Sequence, residues 1–184
     1  MVQHWGPYVG VVTAFLVVVV AGIRSWRSSV KLNAQGWHQL LSQLEPVNVD
    51  GIITVANDYL HPEPGQTKIQ PRAIWKLVGA YEGLRKMRTN ADLMLALAAH
   101  AQHWNSGEAT IVAERMRRDS IRLKRALLRI ELGFLPWRLL HRFCVSTPFY
   151  IQEAAAAYYL MRERLLALYA TSHAGRYPLL AEAI

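Results

Sequence analysis

Between Trp5 and Ile23 the chain reads WGPYVGVVTAFLVVVVAGI, nineteen residues with no charge and one hydroxyl, Thr13. A helix of that length reaches about 28 Å, close to one bilayer hydrocarbon thickness. Apolar on every side, the segment has no polar face to turn to water, so it does not read as an amphipathic helix of a soluble core. The expectation is a single-pass membrane protein. Trp5 and Tyr8 stand at one end of the span and Arg24, Trp26 and Arg27 at the other, where interface anchors belong. Gly6, Gly10 and Ala14 lie four apart on one face. That spacing lets two spans approach closely and leaves a homo-oligomer through the span as an open expectation.

The flanks orient the span. Residues 1–4 carry no lysine or arginine, and Ala21-Gly22-Ile23-Arg24 is a poor small-x-small cleavage site. A retained span is expected rather than a cleaved leader. Arg24, Arg27 and Lys31 follow it. Positive-inside bias then predicts an N-terminus outside and a C-terminal domain in the cytoplasm.

About 150 residues remain beyond the span and its exit, enough for one domain with a real core. Mean hydropathy is only +0.08 although 52% of residues are hydrophobic, so the span dominates the apolar excess. The net charge of +8 favours anionic partners. A single cysteine, Cys144, excludes an internal disulfide framework and fits a reducing compartment.

Periodicity predicts an all-α fold: a basic-flanked anchor (1–31), short amphipathic helices (32–60), a Pro-rich linker loop (61–71), a helical bundle (72–175) and a tail (176–184). Trp37, Leu40, Leu41 and Leu44 recur at helical spacing, and Pro46 ends that helix. Asn48 or Asp50 caps a short helix striped by Ile52, Ala56, Tyr59 and Leu60, although the β-branched run Ile52-Ile53-Thr54-Val55 keeps a strand open. HPEPGQTKIQP breaks the pattern. From Pro71 a helix carries Ile74, Leu77, Val78, Tyr81 and Leu84. Arg88-Thr89-Asn90 reads as a break, with Asn90 capping a second piece through Met94, Leu97 and Ala101. Asn105 with Glu108 resembles a capping box opening a helix to about Phe134. Thr147 and Pro148 open the last long helix, which Gly175 closes. There Ile151, Ala154, Tyr158, Met161, Leu165 and Leu168 step by three and four. The run Ala154 to Ala157 admits a close neighbour from the same chain.

The strongest charge feature spans residues 106–142, with nine Lys or Arg against four Asp or Glu. At about 100° per residue, Arg115, Arg118, Arg122, Arg125 and Arg129 fall in one stripe about 80° wide. Val112, Met116, Leu123, Leu127, Ile130 and Phe134 form an apolar face on one side, and Ile121, Leu128, Leu132 and Leu135 a second on the other. The pattern predicts a helix packed on two sides with an arginine ridge between. Only Glu114 and Asp119 are near enough in sequence to relieve the ridge. A solvated face, anionic headgroups and an acidic protein all remain open as its surroundings. No groove-reading or aromatic-basic motif points to nucleic acid.

Other chemistry is sparse. His100 and His103 are three apart on a helix, yet no Glu-x-x-His motif accompanies them and one cysteine starves a zinc site. Cys144 follows His141 by three, a spacing that fits a small core residue as well as a thiolate pair. Phe134 to Phe143 mixes aromatics, leucines and arginines, either as a core connector or as an interfacial segment. No phosphate loop or nucleophile elbow occurs, and no cofactor is implied. The expectation is a membrane-anchored helical scaffold or accessory subunit of a membrane complex, acting through protein–protein contacts. A membrane-surface module binding anionic lipid through the arginine helix stays open, as does a membrane-tethered helical enzyme.

Overall fold

The computed structural model describes residues 36–62, 69–102, 107–134 and 147–184. The apolar segment 5–23, with Trp5, Gly6, Tyr8, Gly10 and Ala14, lies outside the described residues, as do Arg24, Trp26 and Arg27. So do the middle of the Pro-rich loop, His103, Asn105, and residues 135–146 with His141 and Cys144. Seven helices run through the described residues: α1 Trp37–Ser42, α2 Val49–Leu60, α3 Pro71–Leu77, α4 Ala80–Gln102, α5 Glu108–Phe134, α6 Thr147–Ser172 and α7 Tyr177–Ala183. No strand occurs among them. None of these helices is long and apolar enough to cross a membrane. Trp37–Ile184 forms one unit by itself.

Helix α6 is the hub, packing against α5, α2, α4, α3 and α7. Its residues explain why. Ile151, Ala154, Tyr158, Met161, Leu165 and Leu168 are all buried, as their spacing predicts. Ala155, Ala156, Leu166 and Tyr169 are buried as well, so apolar residues surround the axis instead of striping one side. Such a helix belongs inside a bundle. The small run from Ala154 to Ala157 is wholly buried, and the short side chains permit close helix approach.

The β-branched start of α2 is helical. Asn48 supplies the N-cap, its Oδ1 accepting from the Gly51 amide at 3.1 Å, and Asp50 sits in the first turn. Cap and acid together favour helix over strand here. The Asn48 amide also donates to the Leu77 carbonyl at 3.0 Å, which ties the start of α2 to the end of α3. Gly51 makes this approach possible, because any side chain there would collide with that carbonyl.

The chain breaks elsewhere than the sequence predicts. Helix α4 runs without interruption through Arg88-Thr89-Asn90. The turn comes ten residues earlier, where Gly79 (φ 82°) and Ala80 (φ 56°) are left-handed. Glycine takes that conformation freely, and Ala80 accepts a cost of about 1–2 kcal/mol.

Asn90 is therefore not a cap. It is buried, at 1% exposure, and clamps the chain after α1. Its Oδ1 accepts from the Glu45 amide at 2.9 Å, and its Nδ2 donates to the Glu45 carbonyl at 2.7 Å and the Tyr158 hydroxyl at 3.2 Å. One side chain thus joins the α1–α2 connection, α4 and α6. Burial raises the Tyr158 phenol above its ordinary pKa, against a smaller opposing pull from Asn90. Tyr169 repeats the arrangement lower on α6. Its hydroxyl donates to the Leu97 carbonyl at 3.0 Å, and burial pushes it up to about 12.

The tail is ordered. Arg176 to Ile184 contains α7, with Pro178 in its first turn and Leu180 buried. The Arg162 Nε donates to the Ile184 carbonyl at 3.0 Å. The elements on both sides of the Pro-rich loop, α2 and α3, pack on the same central helix.

Replacing Asn90 with alanine leaves a partly buried amide and carbonyl of Glu45, and the buried Tyr158 hydroxyl, without this partner. The loss is expected to be about 2–3 kcal/mol, with the helical spectrum retained at low temperature. Thermal unfolding of the full chain in mild detergent, followed by circular dichroism, measures it.

Candidate interaction surface

Helix α5 has two faces of opposite character. Met116, Leu123, Leu127 and Ile130 are buried, with Ala109 and Ala126 between them. This is the first apolar face read from the sequence, and it meets α4 and α6. Three polar contacts set its register. Lys124 Nζ reaches Asp92 of α4 at 2.6 Å, Arg88 of α4 reaches Glu131 at 3.3 Å, and Asp119 pairs with Arg164 of α6.

Of the second apolar face, Ile121 and Leu128 do not pack among the described residues, while Leu135 and the Leu132 side chain lie outside them. Ile121 is 43% exposed and Leu128 54%. Ile111, which periodicity alone did not single out, is 58% exposed. The two-sided packing predicted from the sequence is thus one-sided among the described residues. Its physical reason is the hub: α6 and α4 occupy one side of α5, and nothing described covers the other. Arg115, Arg118, Arg122, Arg125 and Arg129 all lie on the exposed side, and Arg117 joins them. From Arg117 round to Arg115 the exposed sector is about 160° wide, with Ile111, Ile121 and Leu128 interleaved among the arginines.

Few acids answer these charges. Glu114 meets Arg117 at 3.4 Å and Arg118 at 3.6 Å. Arg129 lies 3.8 Å from Glu153 and stacks its guanidinium 5.2 Å from the Tyr150 ring centre. Arg115, Arg122 and Arg125 make no ion pair among the described residues. Asp119, expected from sequence to relieve the ridge, does not. It falls on the inner face, is 3% exposed, and is taken by Arg164. Burial lowers the Arg164 pKa from its ordinary value, and neighbouring Arg115 lowers it further. Sequence neighbours of Asp119 gave no sign of this partner, because Arg164 arrives from a helix 45 residues away.

Beside this face α2, α5 and α6 leave an open cleft of about 370 Å³, lined among others by Tyr59, Leu60, Asp119, Arg122, Glu153 and Ala157. Its two carboxylates are matched with Arg164 and Arg129. No histidine, cysteine or serine lines it. Among the described residues no three His, Cys, Asp or Glu side chains gather as a metal site. His100 is half-buried near the end of α4, and His103 lies outside the described residues.

No protein family, curated protein sequence or solved structure matches this chain. The surface itself is the functional evidence.

Removing one member of the inner pair should cost more than removing an outer acid. Asp119→Ala leaves half-buried Arg164 without its partner, at about 1–3 kcal/mol. Glu114→Ala breaks only exposed pairs, at less than about 1 kcal/mol. Parallel chemical denaturation of the two variants tests this ordering, and equal losses would contradict the division of α5 into an inner and an outer face.

Proposed function

We propose that this chain is a membrane-anchored helical scaffold or accessory subunit, whose bundle docks through the outer face of α5 onto an anionic counterpart. One observation carries the reading: the exposed face combines Arg115, Arg122 and Arg125, which make no ion pair among the described residues, with exposed Ile111, Ile121 and Leu128. A solvated helix face normally alternates charges of both signs and keeps large apolar side chains scattered. This face sets six arginines against one acid among the described residues, Glu114, and adds three large apolar side chains in the same sector. The uncharged stretch from Trp5 to Ile23 supports the anchor, and the basic residues after it support a body on the cytoplasmic side.

The test is a comparison of the full chain with its Arg118→Gln, Arg122→Gln, Arg125→Gln variant. Both are purified from native membranes in mild detergent, and the lipids and proteins that accompany each are quantified. Glutamine keeps a similar helix propensity, so the circular dichroism spectrum should not change. The native chain should carry an anionic companion at low salt that the variant loses. The difference should shrink at high salt, where screening has already weakened the attraction. Identical companions for both at low salt would make the ridge a solvated face.

A further inference from the structure

The occupant of the α5 face can be named by its chemistry. We infer that the outer face of α5 lies against the phosphate plane of an anionic lipid bilayer, with Ile111, Ile121 and Leu128 entering below the headgroups and the arginines held at phosphate level. This rests on the docking reading above and adds the partner.

Three features of the face point to lipid. First, its cations are of one kind, set against one acid among the described residues, Glu114, which meets Arg117 and Arg118. Arg115, Arg117, Arg118, Arg122, Arg125 and Arg129 are all arginine, and the one lysine of this stretch, Lys124, turns inward to Asp92. Guanidinium binds phosphate oxygens through two parallel donors, which an ammonium cannot do. Second, cations bracket the apolar side chains: Leu128 and Ile121 lie between Arg117 and Arg125, and Ile111 shares the arc of Arg118, Arg129 and Arg122. A protein interface concentrates its apolar residues centrally and places charge at the edge. A bilayer provides the two environments at different depths, and a long arginine beside a leucine reaches the upper one while its aliphatic stem stays in the lower. Third, the arginines and apolar side chains run from Ile111 to Arg129 along one side of a 27-residue helix, a ridge about 27 Å long. A ridge of that length meets a plane along its whole extent. The uncharged segment from Trp5 to Ile23, followed by Arg24, Arg27 and Lys31, would hold the chain at such a surface. That raises the local concentration of phosphate around any basic face.

The experiment uses the full chain, with Cys144→Ser removing its one cysteine and Leu128→Cys carrying an environment-sensitive fluorophore. The protein is reconstituted into vesicles of phosphatidylcholine alone, or of equal parts phosphatidylcholine and phosphatidylglycerol. Depth is read by quenching from lipids labelled along the acyl chain. A second protein labelled at Thr54, an exposed position on α2, serves as the control. In anionic vesicles the Leu128 probe should shift to the blue and be quenched, and it should do neither in neutral vesicles. The Thr54 probe should stay in water in both. Adding Arg118→Gln, Arg122→Gln and Arg125→Gln should lower the docked-to-undocked ratio by about a hundredfold, with the helical spectrum unchanged. A Leu128 probe that stays in water in anionic vesicles overturns the lipid assignment. If the native chain nevertheless carries an acidic protein that the arginine variant loses, the docking reading stands and the occupant is that protein. Equal quenching in neutral and anionic vesicles would also overturn the assignment, since phosphate recognition by the arginines would then contribute nothing.

Discussion

Helix α6 must be enclosed, and the rest of the bundle follows from that. Its buried apolar residues occupy most of its circumference, and its exposed positions are few: Phe149 near the start and Glu163, Ala167, Ala170 and Thr171 in the second half. Burying one side chain such as Leu165 or Met161 is worth about 1.5–3 kcal/mol, and α6 has many of them. Five helices meet it, and each is amphipathic enough to give it one face. For α5 this has a direct consequence. The side that carries Met116, Leu123 and Leu127 is committed to the interior, so the arginines have to face outward. The charged surface is thus the reverse side of a packing requirement.

Polar contacts then select one arrangement among the helices that apolar burial alone would allow. Asn90 holds the Glu45 backbone and Tyr158 together, and Asp119 meets Arg164 across α5 and α6. Both are buried polar groups, costly if unpaired. A rotation of α4 or α5 by one register would strand them. The outer face carries no such constraint. Its arginines repel one another by a few tenths of a kcal/mol per neighbouring pair, and its three apolar side chains forgo about 1 kcal/mol each by remaining exposed. The unrecovered energy is modest for folding and is substantial for association.

Much of this was legible in the sequence where a residue's neighbours in the chain decide its environment. The periodicity of α6, the cap at Asn48, the inner face of α5 and the pairing of Glu114 with Arg118 are local. Tertiary contacts decided the rest. Asn90 looks like a cap because asparagine disfavours helix interiors, yet partners on two other elements compensate. The Gly79 turn was hidden because Ile74, Leu77, Val78, Tyr81 and Leu84 keep a helical period across it. Asp119 looks like a ridge partner until α6 brings Arg164. Ile121 and Leu128 look like a packed face, and only the positions of α4 and α6 show that nothing described covers them. Of the candidate site, the five arginines were readable from their stripe. Ile111 was not, and Arg117 was readable only as charge.

The central claim is that the outer face of α5 is covered when the protein is in its native setting. Hydroxyl-radical footprinting of the full chain in native membranes, compared with the same chain purified in detergent and stripped of companions, addresses it side chain by side chain. Ile111, Ile121 and Leu128 should be shielded in membranes and labelled after stripping. Tyr81 and Tyr177, exposed on other helices, supply the internal reference. The account predicts strong protection of the three α5 residues relative to that reference. Equal labelling of all five in both settings would contradict it.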